Sequence, residues 1–235
     1  MSRLTRTASA AAALSTIPML ALAASAEARP PAGYGPSDPY IEALLPSHGP
    51  VEPMKNQAKI IVTDYGYRIT LGQQNSHLTV TLVDGKLRYE DTGTLAWKSL
   101  PSACQAQSVS VGVAANCDVP ASTSTANPTL LEVHPRLGND YVSGSGLPAV
   151  FEMAVLADAG FDTVFTGEGN DFVNGAQDAD EAHGGGGKDW IRTGLANDHI
   201  WGDAGDDYMV GADGHDTADG GAGTDRIWAE TITNH

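Results

Sequence analysis

The stretch Gly184-Gly185-Gly186-Gly187-Lys188-Asp189-Trp190-Ile191-Arg192 runs directly into Thr193-Gly194-Leu195-Ala196-Asn197-Asp198-His199-Ile200-Trp201. Gly202-Asp203-Ala204-Gly205-Asp206-Asp207-Tyr208-Met209-Val210 follows. Each block of nine has Asp in sixth place and a nonpolar residue in eighth. Followed outward, the Asp recurs at 162, 171, 180, 189, 198, 207, 216 and 225 with no slip. The nonpolar residue two places later is Val164, Val173, Ala182, Ile191, Ile200, Met209, Ala218 and Ile227. Glycine gathers just before each Asp. A fixed short period of this kind marks a chain whose units stack on one another and share a core.

The charge follows the same stretch. Residues 160–228 hold fifteen Asp and Glu against Lys188, Arg192 and Arg226, a net of -12 within a chain of 235 residues and net charge -16. Such a segment repels itself until cations join it, and it disfavours nucleic acid and anionic membrane as partners. With 27 Gly, 13 Pro and 6% aromatic residues, any fold must use little apolar burial.

Upstream of the repeats the chain changes character several times. Residues 1–26 read as a secretory signal, with Arg3 and Arg6 ahead of an Ala-rich middle and Ala24-Ser25-Ala26 as the cleavage site. Pro18 and Glu27 speak against a membrane anchor, and no later span is long enough to cross a bilayer. Residues 27–57 hold seven of the prolines and read as an extended linker without chemistry. Residues 58–136 read as a small β-strand domain, with strands expected at 59–63, 67–71, 77–83, 86–91, 108–113 and 130–133. Leu78, Val80 and Leu82 alternate with polar residues, and Asp84-Gly85 signals a tight hairpin. Export favours a disulfide between the only two cysteines, Cys104 and Cys117. The solenoid is expected over 137–228, beginning with a partial unit at Leu137-Gly138-Asn139-Asp140 that lies out of register by four. A polar tail, 229–235, ends the chain.

The nonapeptide resembles the hemolysin-type calcium-binding repeat of the RTX family, Gly-Gly-x-Gly-x-Asp-x-apolar-x. That resemblance implies an all-β chain whose C-terminal part is a parallel β-roll that folds around several Ca²⁺ ions, with extracellular affinities of about 10⁻⁴ to 10⁻³ M. The residue types suit the chemistry, since glycine allows tight turns in which carbonyls approach an ion, and Asp supplies the hard anionic oxygen that Ca²⁺ prefers. Residues 58–150 more loosely resemble the leading domain of secreted actinobacterial RTX-repeat proteins, which would cap the first turn.

On this reading two repeats close one turn, and alternate repeats stack along one edge. The first edge takes metal ligands from Gly167, Gly169, Asn170 and Asp171; Gly185, Gly187 and Asp189; Asp203, Gly205 and Asp207; and Gly221, Gly223 and Asp225. The second edge has Asp162, Asp180, Asp198 and Asp216. Two places before the Asp, where positive φ is expected, the first edge has glycine throughout, whereas the second has Asp178 and Ala196 in its middle. Stronger calcium sites are therefore expected on the first edge, and Asp180→Ala is expected to do little.

Neither His-Glu-x-x-His nor Gly-x-Ser-x-Gly occurs, and the histidines are scattered, so the chain reads as a non-enzyme. An adhesion or matrix role is the alternative, with an extracellular polysaccharide or cell surface as partner. Phe172, Trp190 and Tyr208, then Arg226, recur every eighteen residues on one face. Cross-strand stacking is the plainer reading of them, and a sugar-binding ladder the functional one.

Overall fold

The computed structural model describes residues 33–36, 54, 56–72 and 74–233. The signal reading of residues 1–26 lies outside them. So does most of the linker. Every regular element described is a strand. In chain order they are β1 (Gln57–Val62), β2 (Gly66–Thr70), β3 (His77–Val83), β4 (Lys86–Asp91), β5 (Ala96–Ser99), β6 (Cys104–Gln107), β7 (Val113–Asp118), β8 (Thr129–His134), β9 (Tyr141–Ser143) and β10 (Phe151–Leu156). The repeats then give β11 (Thr163–Phe165), β12 (Phe172–Ala176), β13 (Glu181–His183), β14 (Gly186–Gly187), β15 (Trp190–Leu195), β16 (His199–Trp201), β17 (Ala204–Gly205), β18 (Tyr208–Asp213), β19 (Thr217–Asp219), β20 (Arg226–Trp228) and β21 (Thr231–Thr233).

From β8 onward the chain alternates between two sheets, apart from β14 and β17, which pair with each other. A β-solenoid of about 6 turns results, over residues 129–233. One sheet runs β8, β10, β12, β15, β18, β20 and the other β9, β11, β13, β16, β19, β21, every neighbour parallel. Pairs such as Val173 with Ile191 and Ala182 with Ile200 are eighteen residues apart, so two repeats do make one turn. The period-nine residues Val164, Val173, Ala182, Ile191, Ile200, Met209 and Ala218 are at most 2% exposed and form the thin core between the sheets.

The earlier strands continue both sheets. β2 lies parallel to β8 and β3 parallel to β9, so the unpaired edge that would begin the stack is covered. Antiparallel hairpins complete the cap, and Asp84 and Gly85 take the left-handed φ of 50° and 73° that their tight turn demands. Cap and solenoid share one core, in which Ile69 and Leu78 join the same cluster as Ile191 and Met209.

One sequence reading is corrected in the cap and another holds. Of the strand expected at 108–113, residues 108–112 are instead the connection between β6 and β7, and Val113 begins β7. There Gly112 has φ 78°, and a Cβ on it would stand 2.0 Å from the Asp91 carbonyl oxygen, so the alternating valines cannot continue as a ladder. Cys104 and Cys117 are directly paired across β6 and β7 and form the disulfide.

Candidate metal centre

Each repeat Asp stands immediately before a strand, at the end of a loop joining the two sheets. Its carboxylate reaches back along the stack. Asp189 Oδ1 accepts the Asp171 amide at 2.8 Å, Asp207 Oδ1 accepts that of Asp189 at 2.9 Å, and Asp225 Oδ1 that of Asp207 at 3.0 Å. On the opposite edge Asp180, Asp198 and Asp216 receive the amides of Asp162, Asp180 and Asp198 at 2.9, 2.8 and 3.0 Å. The two rows are the two edges expected from the sequence.

One oxygen of each carboxylate is thereby used. In most of them the other is left over; at Asp171 the second oxygen accepts the Gly167 amide at 2.9 Å. Oδ2 of Asp140, Asp162, Asp180, Asp189, Asp198, Asp207 and Asp216 is buried with no hydrogen-bond partner, and these residues are at most 5% exposed. Among the described residues no lysine, arginine or histidine forms an ion pair with them; Lys188 instead reaches Asp206, at 2.8 Å on the surface. Removing a carboxylate from water without a partner costs several kcal/mol, so each must hold a proton or a cation.

Burial pushes Asp140, Asp162, Asp171 and Asp207 up to about 7 and Asp180 up to about 8. Asp189 is raised as well, by burial first and then by the carboxylate of Asp171. Glu152 on β10 is also pushed up to about 7, by burial and the neighbouring Asp171.

The glycines serve close approach as much as turning. A Cβ on Gly184 or Gly202 would stand 2.5 Å from the leftover oxygen of Asp189 or Asp207 in its own repeat. A Cβ on Gly187, Gly205 or Gly223 would meet the carbonyl oxygen of Gly169, Gly187 or Gly205 at 2.0, 1.5 and 1.5 Å, so successive first-edge loops lie backbone on backbone. The carbonyls of Gly167, Gly185 and Asp203 accept the amides of Gly186, Ala204 and Ala222 at 2.8, 2.8 and 2.7 Å. Among the described residues no three His, Cys, Asp or Glu side chains converge on one point. A calcium ion here would complete its six to eight oxygens from loop carbonyls and water around one or two carboxylates.

Some predicted residues play other parts. Gly169 lacks a left-handed φ; its constraint is the Phe151 carbonyl oxygen, 2.0 Å from where a Cβ would be. Asn170 does not stand in the carboxylate row: its Oδ1 accepts the Lys188 amide at 2.9 Å. Asp203 is largely exposed and faces His183 Nδ1 at 3.3 Å.

Other positions were not offered as ligands by the sequence. Asp140 belongs to the second-edge row despite its offset, accepting the Ser76 amide at 2.5 Å and donating its own to Asp162 at 2.8 Å. Glu230 ends that row by accepting the Asp216 amide at 2.8 Å. From Asp180 onward the turn also has left-handed φ four places before the Asp. On the second edge Ala176 and Ala212 take that place, at 76° and 79°, and Asp178 and Ala196, two places before their Asp, stand at 67° and 84°. The first edge has only Asp203, at 65°.

A parallel two-sheet solenoid with carboxylates stacked along both edges is a scaffold for hard cations. Residues 155–182, 183–218 and 208–231 match the family model described as the RTX calcium-binding nonapeptide repeat (4 copies), and the chain carries these calcium-binding repeats. No curated protein and no solved structure matches it.

Proposed function

We propose that this is an exported, non-catalytic calcium-binding protein whose roll is completed by Ca²⁺ held along its two edges. The observation that carries this reading is the seven buried aspartate oxygens without a partner, five on the second edge and two, on Asp189 and Asp207, on the first. A divalent cation between loops one turn apart satisfies these oxygens and removes the repulsion along each row. Both edges present such oxygens. The first-edge sites, on Asp171, Asp189, Asp207 and Asp225, are the tighter ones, because their loops have glycine where the second edge forces alanine into left-handed backbone. Export is supported by the leader-like residues 1–26 and by the Cys104–Cys117 disulfide, which suits an oxidising compartment.

An adhesion role through a sugar-binding ladder draws no support from the expected residues. Phe172, Trp190 and Tyr208 are 1%, 2% and 4% exposed. On the other sheet Phe165, His183 and Trp201 stack face to face at 4.5 and 4.3 Å, so the ring faces a sugar would need are already used. Far-UV circular dichroism with and without millimolar Ca²⁺ tests the proposal. A large gain of β signal is expected; an unchanged spectrum would count against it.

A further inference from the structure

The outer aromatic row of the repeats is buried because the chain itself covers it. Residues 33–36, Gly-Tyr-Gly-Pro, lie on it far from the strand domain that follows them in sequence. The Gly35 amide donates to the Lys188 carbonyl at 2.7 Å, and the Tyr34 ring meets Tyr208 edge-on, with centroids 5.8 Å apart. The Arg226 guanidinium stands 6.0 Å from the Tyr34 ring centre. Gly35 has φ 67°, and a Cβ on it would lie 3.3 Å from Trp190 Cβ and 3.4 Å from the Asp171 carbonyl oxygen, so the contact selects glycine. Gly35 and Pro36 are buried.

From this we infer that the outer face of the Phe172, Trp190 and Tyr208 row is a docking surface for residues 33–36 of the same chain, and that docking depends on calcium. Every contact in the seat comes from repeats that carry the first-edge aspartates, between Asp171 and Arg226. The seat exists only when those repeats are stacked. The segment binds the folded roll and not the unfolded one, so by linkage it also stabilises the calcium-loaded state. The inference rests on the calcium reading above, and its failure is separable from failure of that reading.

The test is amide hydrogen exchange at Gly35 in the mature full-length protein, wild type and Tyr34→Ala, in Ca²⁺ and in EGTA, with circular dichroism on the same samples. Gly35 is expected to exchange at least about tenfold more slowly in Ca²⁺ than in EGTA. Tyr34→Ala is expected to lose that protection while keeping the calcium-induced gain of β signal. Protection that is equal in both conditions, absent in both, or unaffected by Tyr34→Ala overturns the strap. If the dichroism responds to calcium and Gly35 does not, the strap alone fails. A dichroism signal indifferent to calcium sinks the calcium reading, and Gly35 exchange equally indifferent sinks the strap with it.

Discussion

A buried aspartate with one oxygen bonded and one left over is the unit from which this molecule is built. Its protonation sets the behaviour of the ion-free state. Burial pushes Asp162 and Asp207 up to about 7 and Asp180 up to about 8, against 3.8 when unperturbed. A raised carboxylate opposes folding wherever it must ionise, so the ion-free roll keeps its full stability below about pH 4 and loses it progressively as pH rises through 7 and 8. Without calcium, the β signal of the roll is expected to be larger at pH 5 than at pH 8; the reverse order would refute the assignment. With Ca²⁺ present the trend is expected to invert, because protons and the ion compete for the same oxygens.

Charge and hydrogen bonding at the ladder can be separated by substitution with asparagine. Asp189→Asn keeps an oxygen for the Asp171 amide but removes a charge shared by first-edge sites. It is expected to raise the calcium midpoint of folding about tenfold, equivalent to about 1.4 kcal/mol. Asp180→Asn, which likewise keeps an oxygen for Asp162, is expected to raise it less than about threefold. Equal shifts in a calcium titration would remove the asymmetry between edges. Asp180→Ala is no longer expected to be silent, since it also orphans the buried Asp162 amide, at about 1–3 kcal/mol.

At the scale of loops and strands, the stack is limited by how closely one backbone can lie on the next. Gly205→Ala would place a methyl 1.5 Å from the Gly187 carbonyl oxygen, and a loss of about 3 kcal/mol is expected in calcium-saturated thermal unfolding. Ala196→Gly relieves a left-handed alanine at φ 84°, and a gain of about 0.5 kcal/mol is expected in the same measurement. A loss for Ala196→Gly would show that this turn is not strained.

Much of this level was legible in the sequence. The Asp and apolar positions that recur every nine residues gave the strands, the core and the two edges, because a repeat fixes both face and register. The hairpin at Asp84-Gly85 was legible for the same local reason. What escaped depends on contacts remote in sequence. β5 (Ala96–Ser99) pairs only with β1, half a domain away, and lacks clear alternation. Asp140 lies in a partial unit that reads as out of register by four, and was not offered as a ligand, yet the extra residues before Asp162 leave its place in the stack unchanged. The left-handed place four before the Asp was hidden where Ala176 and Ala212 occupy it. Residues 33–36 looked like plain linker, since nothing local announces a seat built by repeats 135 and more residues downstream.

Over the whole molecule, cap and roll share one core but not one source of stability. The cap has hairpins, a disulfide and a core without buried ladder carboxylates; the roll has one thin apolar column, Val164 to Ala218, between two charged rows. Chelation is therefore expected to open residues from about 160 onward while 57–134 stay folded. Limited proteolysis in EGTA, read by mass spectrometry, should find cuts concentrated in the repeats, and resistance of the repeats would contradict this. Since β2 and β3 lose their partners β8 and β9 only if opening spreads to the first turn, the last fragment to be cut marks how far calcium's influence reaches.

The most direct test of the central claim is isothermal titration of the mature protein with Ca²⁺ at pH 7.5. Saturable binding of more than one ion per chain is expected, with dissociation constants of about 10⁻⁴ to 10⁻³ M and release of protons from the ladder carboxylates. Absence of binding across that range would contradict the account.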